Sequence, residues 1–195
     1  MKRHRDLIGV WVGCCAGIAW LAGAGLAGDW NRLAAADDPP PKLEACKIGT
    51  TSPAHRLGKL YLAGQPQVED LQVAKEQGIK TVLNLRKKEE LTWDEEAAVK
   101  KLGLNYINLP IGGPADLKDE VFEQARKILG DKERQPVLLH CASANRVGAI
   151  WLAHRVLDDK VPYDQALEEA RKVGLKAPPL EAAAKAYITK VQAKK

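Results

Sequence analysis

Two short stretches, KTVLNL at 80–85 and PVLLH at 136–140, constrain this chain more than any other feature. Each is a nearly unbroken apolar run, without the alternation of a half-buried strand. A strand of this kind is covered on both faces, as happens when helices pack above and below a parallel sheet. Helical stretches stand between such runs. QPQVEDLQVAKEQG has Pro66 in its opening turn and Gly78 as a stop. TWDEEAAVKKLG has Thr92 followed three residues on by Glu95, which predicts a capping box. DLKDEVFEQARKILG is amphipathic, VGAIWLAHRVL has little polar surface, and PYDQALEEARKVG and PLEAAAKAYITKVQ close the chain as helices. With KLYLAG and NYINLPI as further strands, the order predicts an α/β domain. Its central sheet is mostly parallel and flanked by helices, with a C-terminal helical segment.

The domain does not begin at residue 1. MKRHRD is basic, and Leu7 to Gly28 then runs without a charge. This is the pattern of a signal peptide or membrane anchor over residues 1–28. Positive charge ahead of the run predicts an exported domain, periplasmic or otherwise extracytoplasmic, released or held at the membrane by this segment. The proline- and aspartate-rich stretch that follows predicts a linker over 29–54, leaving 55–195 as the folded domain. The net charge of +5 is scattered among acids and aromatics make up 5% of the chain, so neither a basic patch nor a base-stacking platform points to nucleic acid. Of four cysteines, Cys14 and Cys15 lie in the apolar run, which leaves too few for a disulfide framework. Cys46 is read as a bystander, with pairing to Cys141 as the alternative.

In sheets of this kind ligands sit beyond the carboxyl ends of the strands. Three loops meet that condition: NLRKKEE (84–90), LPIGGPADLKD (109–119) and HCASANRVG (140–148). In the last, Cys141 opens a tight turn into a helix expected to start near Val147. Ala142, Ser143, Ala144 and Asn145 form the turn, and their N–H groups, with the helix N-terminus, would face an anion. Cysteines in such surroundings favour the thiolate. Arg146 closes the turn with a planar fork suited to phosphate or sulfur oxyanions. His140 is read as ending the strand and holding Cys141 in place. With no second ligand pair nearby, it does not suggest a metal site. Arg86 and Glu90 are read as an ion pair or a substrate contact, and Asn145 as a contact to the anion or a helix cap. No cofactor is implied.

A cysteine, a short loop and an arginine after an apolar strand resemble the signature of cysteine-based phosphatases. LYLAGQP, EQGIKTVLNLR, YINLPI and HCASANRVGA occur in the order seen in the bacterial phosphatase-like domain of beta-lactamase-hydrolase-like proteins. That domain belongs to the dual-specificity and tyrosine phosphatase superfamily, and the resemblance covers roughly residues 56–190. It implies a dual-specificity-phosphatase-like fold, hydrolysis of phosphate esters, a Cys141 nucleophile, a phosphate-binding Arg146 and a cysteinyl-phosphate intermediate. It also implies an aspartate general acid on the loop after YINLPI. Asp116 is the first candidate and Asp119 the next, though both also stand where they would cap the following helix. The chain departs from the usual pattern in four respects. Four residues rather than five separate Cys141 from Arg146. Ala144 stands where glycine is usual, so a positive φ there would be strained. Val147 replaces the hydroxyl residue that commonly follows the arginine. Gly112 and Gly113 occupy the positions where the acid is normally found. The four-residue spacing also matches rhodanese-type loops. A sulfurtransferase carrying a persulfide on Cys141 therefore stays open, as does a non-catalytic anion-binding module.

Overall fold

The computed structural model describes residues 41–194. The export or anchor segment expected over 1–28, and the first part of the linker, lie outside these residues. Among the described residues no helix is long and apolar enough to cross a membrane.

Six strands form one sheet in the order β1-β2-β3-β6-β4-β5. They are β1 (Glu44–Ala45), β2 (Ala54–Leu57), β3 (Leu60–Ala63), β4 (Thr81–Asn84), β5 (Asn105–Asn108) and β6 (Val137–His140). Strands β3, β6, β4 and β5 are parallel, as the unbroken apolar runs require. β1 and β2 add an antiparallel edge that the sequence pattern did not announce. Six α-helices accompany the sheet: α1 (Val68–Glu76), α2 (Glu95–Lys101), α3 (Asp119–Gly130), α4 (Asn145–Leu157), α5 (Tyr163–Val173) and α6 (Pro178–Gln192).

Side-chain alternation along the strands sorts the core into two faces. Leu62, Leu83, Val137 and Leu139 join the large cluster built with Phe122, Trp151 and Ile188 of α3, α4 and α6. Tyr61, Val82 and Leu138 face the other way, into clusters with α1 and α2. Helix α4 is covered by the other C-terminal helices, which is why VGAIWLAHRVL carries so little polar surface. Gly148 permits that cover: a Cβ there would stand 2.7 Å from Leu175 Cβ and 2.8 Å from its backbone nitrogen.

Three expectations are corrected. The linker does not extend to residue 54, because Glu44–Ala45 pairs with β2 and Ile48 is fully buried. Buried Asp70 of α1 ties this segment down. Its carboxylate accepts from Thr50 N at 2.8 Å, Thr51 Oγ1 at 2.8 Å and Gln67 N at 2.9 Å. Burial works to raise the Asp70 pKa, yet these donors outweigh it and the group is held below its ordinary value. The second correction is at α2, where Asp94, not Thr92, caps the helix by accepting from Ala97 N at 3.0 Å. Glu95 is thereby turned inward and fully buried. Lastly, α4 begins at Asn145 rather than near Val147, so Arg146 lies in the first helical turn.

Candidate active site

The register across the sheet places Ala63, His140, Asn84 and Asn108 side by side at the carboxyl ends of the four parallel strands. Cys141 is the next residue beyond β6 and is buried. The turn after it is open, with Ala142 and Ser143 exposed. Ala144 then takes φ 60°, ψ 8°, the left-handed conformation that favours glycine. This conformation reverses the chain so that α4 can start. No acceptor among the described residues takes the five consecutive N–H groups of Ala142 to Arg146. Buried or turned-in donors of this kind need partners, and a concave run of them is an anion nest.

Neighbouring loops fix the outside of the turn. Gln65 N donates to Ala142 O at 3.1 Å. Asn145 neither faces an anion through its carbonyl nor caps its own helix. Its Oδ1 accepts from Lys176 N at 3.0 Å and Ala177 N at 3.2 Å, tying the turn to the start of α6.

Arg146 is where the three loops meet. Its guanidinium donates to Leu85 O at 3.4 Å, to Ile111 O, and to both oxygens of Glu90 at 2.8 and 2.7 Å. Glu90 therefore serves Arg146 more closely than Arg86, whose Nε lies 3.6 Å from Glu90 Oε2. Arg86 instead donates to Gln65 Oε1 at 2.6 Å and to the Glu90 carbonyl. The Arg146 fork pulls the Glu90 pKa down from 4.5 to about 2, against the effect of burial. Arg146 is raised in turn, by Glu90 first and, against burial, by the charge of Cys141.

His140 ends β6 on the opposite face of the sheet from Cys141. Its Nε2 lies 2.7 Å from Glu95 Oε1, both side chains fully buried. The ring N–H is not aligned along that contact, and no well-formed hydrogen bond is made at either atom. Glu95 Oε2 accepts from Asn84 Nδ2 at 2.9 Å, and the same amide reaches Tyr106 OH at 3.0 Å. Sequence reasoning missed both glutamates. Glu95 was hidden by its resemblance to a capping residue. Nothing in the sequence marks Glu90 as the partner of an arginine 56 residues away.

Asp116 ends a short 3-10 turn, Pro114–Asp116, on the loop that Arg146 touches. Its Oδ2 accepts from Gly112 N at 2.7 Å and pairs with Lys87 Nζ at 3.2 Å. The Gly112 N–H, then Lys87, holds its pKa below the ordinary value, so in this arrangement it is an anion. Asp119 pairs with Lys190 of α6. Cys46 and Cys141 are both free, and they pack in clusters on different faces of the sheet. Among the described residues no cluster of His, Cys, Asp and Glu could hold a metal ion.

A buried cysteine at the carboxyl edge of a parallel sheet, an open turn of unpartnered N–H groups and an arginine on the next helix can be compared with known molecules. The chain has the fold of the cysteine-based tyrosine phosphatases. TpbA of P. aeruginosa superposes with a TM-score of 0.61 at 23% identity, over 77% of this chain and 91% of that one. The core catalytic domain of the PP-IP phosphatase SIW14 from S. cerevisiae gives 0.60 at 18% identity, over 77% and 95%. A putative phosphatase (DUF442) from Shewanella putrefaciens CN-32 gives 0.55 at 18%, over 76% and 91%. In sequence, a beta-lactamase hydrolase-like protein of Agrobacterium fabrum (strain C58 / ATCC 33970) is 25% identical over 108 residues, 53% of this chain. The matched stretch covers a quarter of that relative's length. No family model matches.

Proposed function

We propose that this chain hydrolyses phosphate monoesters, with Cys141 as nucleophile and Arg146 as the phosphate-binding cation. The observation that carries this reading is the set of five unpartnered N–H groups from Ala142 to Arg146, closed by the Arg146 fork beside Cys141. Such donors stabilise the charge that builds on the equatorial oxygens of a transferring phosphoryl group. Its structural neighbours are phosphatases, and TpbA has been captured with pTyr, which favours phosphate over sulfur oxyanions as the ligand.

In the proposed sequence the Cys141 thiolate attacks phosphorus, the S–P bond forms and the P–O ester bond breaks. The departing oxygen takes a proton from Asp116, which must first be released from Gly112 and Lys87 and protonated. Water then attacks phosphorus, the S–P bond breaks, and inorganic phosphate leaves with the thiolate restored. In this proposal the uncharged run behind MKRHRD holds the domain outside the cytoplasm, at the membrane or released from it. Fractionation of the native protein checks that part, and uncleaved chain soluble in the cytoplasm overturns it.

The activity is tested on the purified chain with an aryl phosphate in one assay and thiosulfate plus a thiol acceptor in the other. Release of phosphate, lost in Cys141→Ser, is the expected result. Sulfur transfer without phosphate release would overturn the assignment in favour of a sulfurtransferase.

A further inference from the structure

A cleft of about 610 Å³ lies beside the Cys141 turn, between the loop before α2 and strand β5. It is not the nest itself. Leu91, Trp93 and Tyr106 line it, with Lys88 and Asn108 at its edges and Glu95 in its floor. Trp93 and Tyr106 are half-buried and pack against the cluster of Leu71, Val82, Val99 and Leu104. One side of each ring is thus fixed by core, which holds the cleft in shape without a ligand. Lys88 is exposed and forms no ion pair among the described residues. The cleft is coupled to the site through short contacts. Asn108 Nδ2 donates to the carbonyls of Asn84 and Arg86 at 3.0 and 2.9 Å. Leu91 directly follows Glu90, the residue that clasps Arg146.

We infer that this cleft is a second substrate subsite, taking an aromatic or large apolar side chain of a phosphorylated peptide whose phosphate sits at Cys141. The inference rests on the phosphatase reading and adds the class of substrate. Spacing decides in favour of a peptide. Asn108 and His140 are in register on either side of Asn84. With strands about 4.8 Å apart, the cleft wall is about 10 Å from the base of the turn. No single-ring phosphate ester spans that distance. An extended peptide covers it in about three residues, at about 3.3 Å each. Two aromatic walls suit a flat apolar side chain and give a polyanionic sugar nothing beyond Lys88 to hold it.

The test is a double-mutant cycle on the full chain. Phosphotyrosine peptides carry either Phe or Ala two, three or four residues from the phosphotyrosine, on either side. The wild type is expected to prefer one Phe peptide by about tenfold in kcat/KM, and Trp93→Ala to collapse that ratio to about one. Leu91→Arg, which fills the cleft from its rim, is the second variant and should collapse the ratio in the same way should Trp93→Ala fail to fold. A wild type without preference at any position, or a preference untouched by both variants, overturns the inference. Binding to Cys141→Ser, read by fluorescence of labelled peptides, separates this from the phosphatase reading. An inactive wild type whose Cys141→Ser form still prefers the Phe peptide would sink the hydrolysis reading and support the cleft. Equal binding of all peptides would sink the cleft alone.

Discussion

Two arginine–carboxylate forks of nearly the same geometry stand in different parts of this molecule. Arg146 meets Glu90 at 2.8 and 2.7 Å, and Arg126 of α3 meets Asp158, at the end of α4, at 2.7 and 2.7 Å. In both, the carboxylate is held below its ordinary range, at Asp158 by Arg126 and His154 against the effect of burial. They differ in where the remaining donors go. Arg126 Nη1 ends on Tyr187 OH at 2.7 Å, and that ring stacks on Phe122 with centroids 4.5 Å apart. The fork closes against packed helices and joins α3, α4 and α6. Arg146 spreads over two loop carbonyls and Cys141, beside a turn with unpartnered N–H groups. A fork is therefore structural when its surroundings are closed, and available for chemistry when it borders an open nest of donors.

The largest effects should fall on the Cys141 side of that contrast. Cys141→Ser is expected to lower kcat by about 10⁴-fold or more while the far-ultraviolet spectrum stays native. Arg146→Lys should cost about 10²–10³-fold, because an ammonium cannot span the oxygens that the planar fork reaches. Phosphate release from an aryl phosphate measures both. Full activity in either variant would make the two forks equivalent and remove the catalytic reading.

Glu90→Gln and Asp158→Asn sharpen the comparison. Glu90→Gln removes the charge that orients Arg146 and should lower kcat/KM by about tenfold. The wild-type pair also has a pH signature. Glu90 is depressed from 4.5 to about 2, so its contribution to stability is fully present above about pH 4.5 and is lost as pH falls toward 2. Urea unfolding of Glu90→Gln should be flatter over that window than in the wild type. Asp158→Asn should leave kcat within about twofold and lower stability by about 1–2 kcal/mol, a partly exposed fork being worth less than a buried one. If Asp158→Asn reduces turnover as much as Glu90→Gln does, the division between the two forks fails.

The sequence made the interior of the sheet legible because burial on both faces leaves unbroken apolar runs, as at Thr81–Asn84 and Val137–His140. It made the turn after Cys141 legible for a related reason: strand, turn and helix are contiguous, so the site's core is local in sequence. What it hid is long-range or polar. The β1–β2 edge is short and sits in a segment whose prolines and aspartates read as linker, and Asp70 supplies the hydrogen bonds that hold it. Glu95 satisfied a local capping pattern, while Asp94 took the cap and freed Glu95 to be buried against His140. Glu90 lies on a loop whose residues alternate between charges, and only the fold selects which charge reaches Arg146.

Lys87 offers a smaller test, confined to pH. A general acid must be protonated to act, and Gly112 and Lys87 hold Asp116 below its ordinary pKa. The falling limb of the kcat/KM profile therefore sits at low pH in the wild type. Lys87→Met removes a positive charge, lets the Asp116 pKa rise, and should move that limb to higher pH. A limb that stays in place would remove Asp116 from the proton-transfer step. Asp116→Asn should then leave the profile unchanged as well.

The smallest effect is expected at Ala144→Gly, where three terms oppose one another. Ala144 is fully buried with φ 60°, and holding an L-residue in that conformation costs about 1–2 kcal/mol, which glycine relieves. The methyl group it loses is part of the core, close to Gly174, where a Cβ would lie 3.0 Å from Ala144 Cβ. Burying that methyl is worth about 0.8 kcal/mol. Glycine also widens the unfolded ensemble, at a cost of about 0.4–1 kcal/mol. The sum is close to zero, so the urea midpoint should shift by less than about 1 kcal/mol equivalent. A stabilisation of about 2 kcal/mol would mean that strain dominates and the methyl packs poorly. A loss of about 2 kcal/mol would mean that contact with the Gly174 turn, rather than backbone conformation, sets the position of the loop.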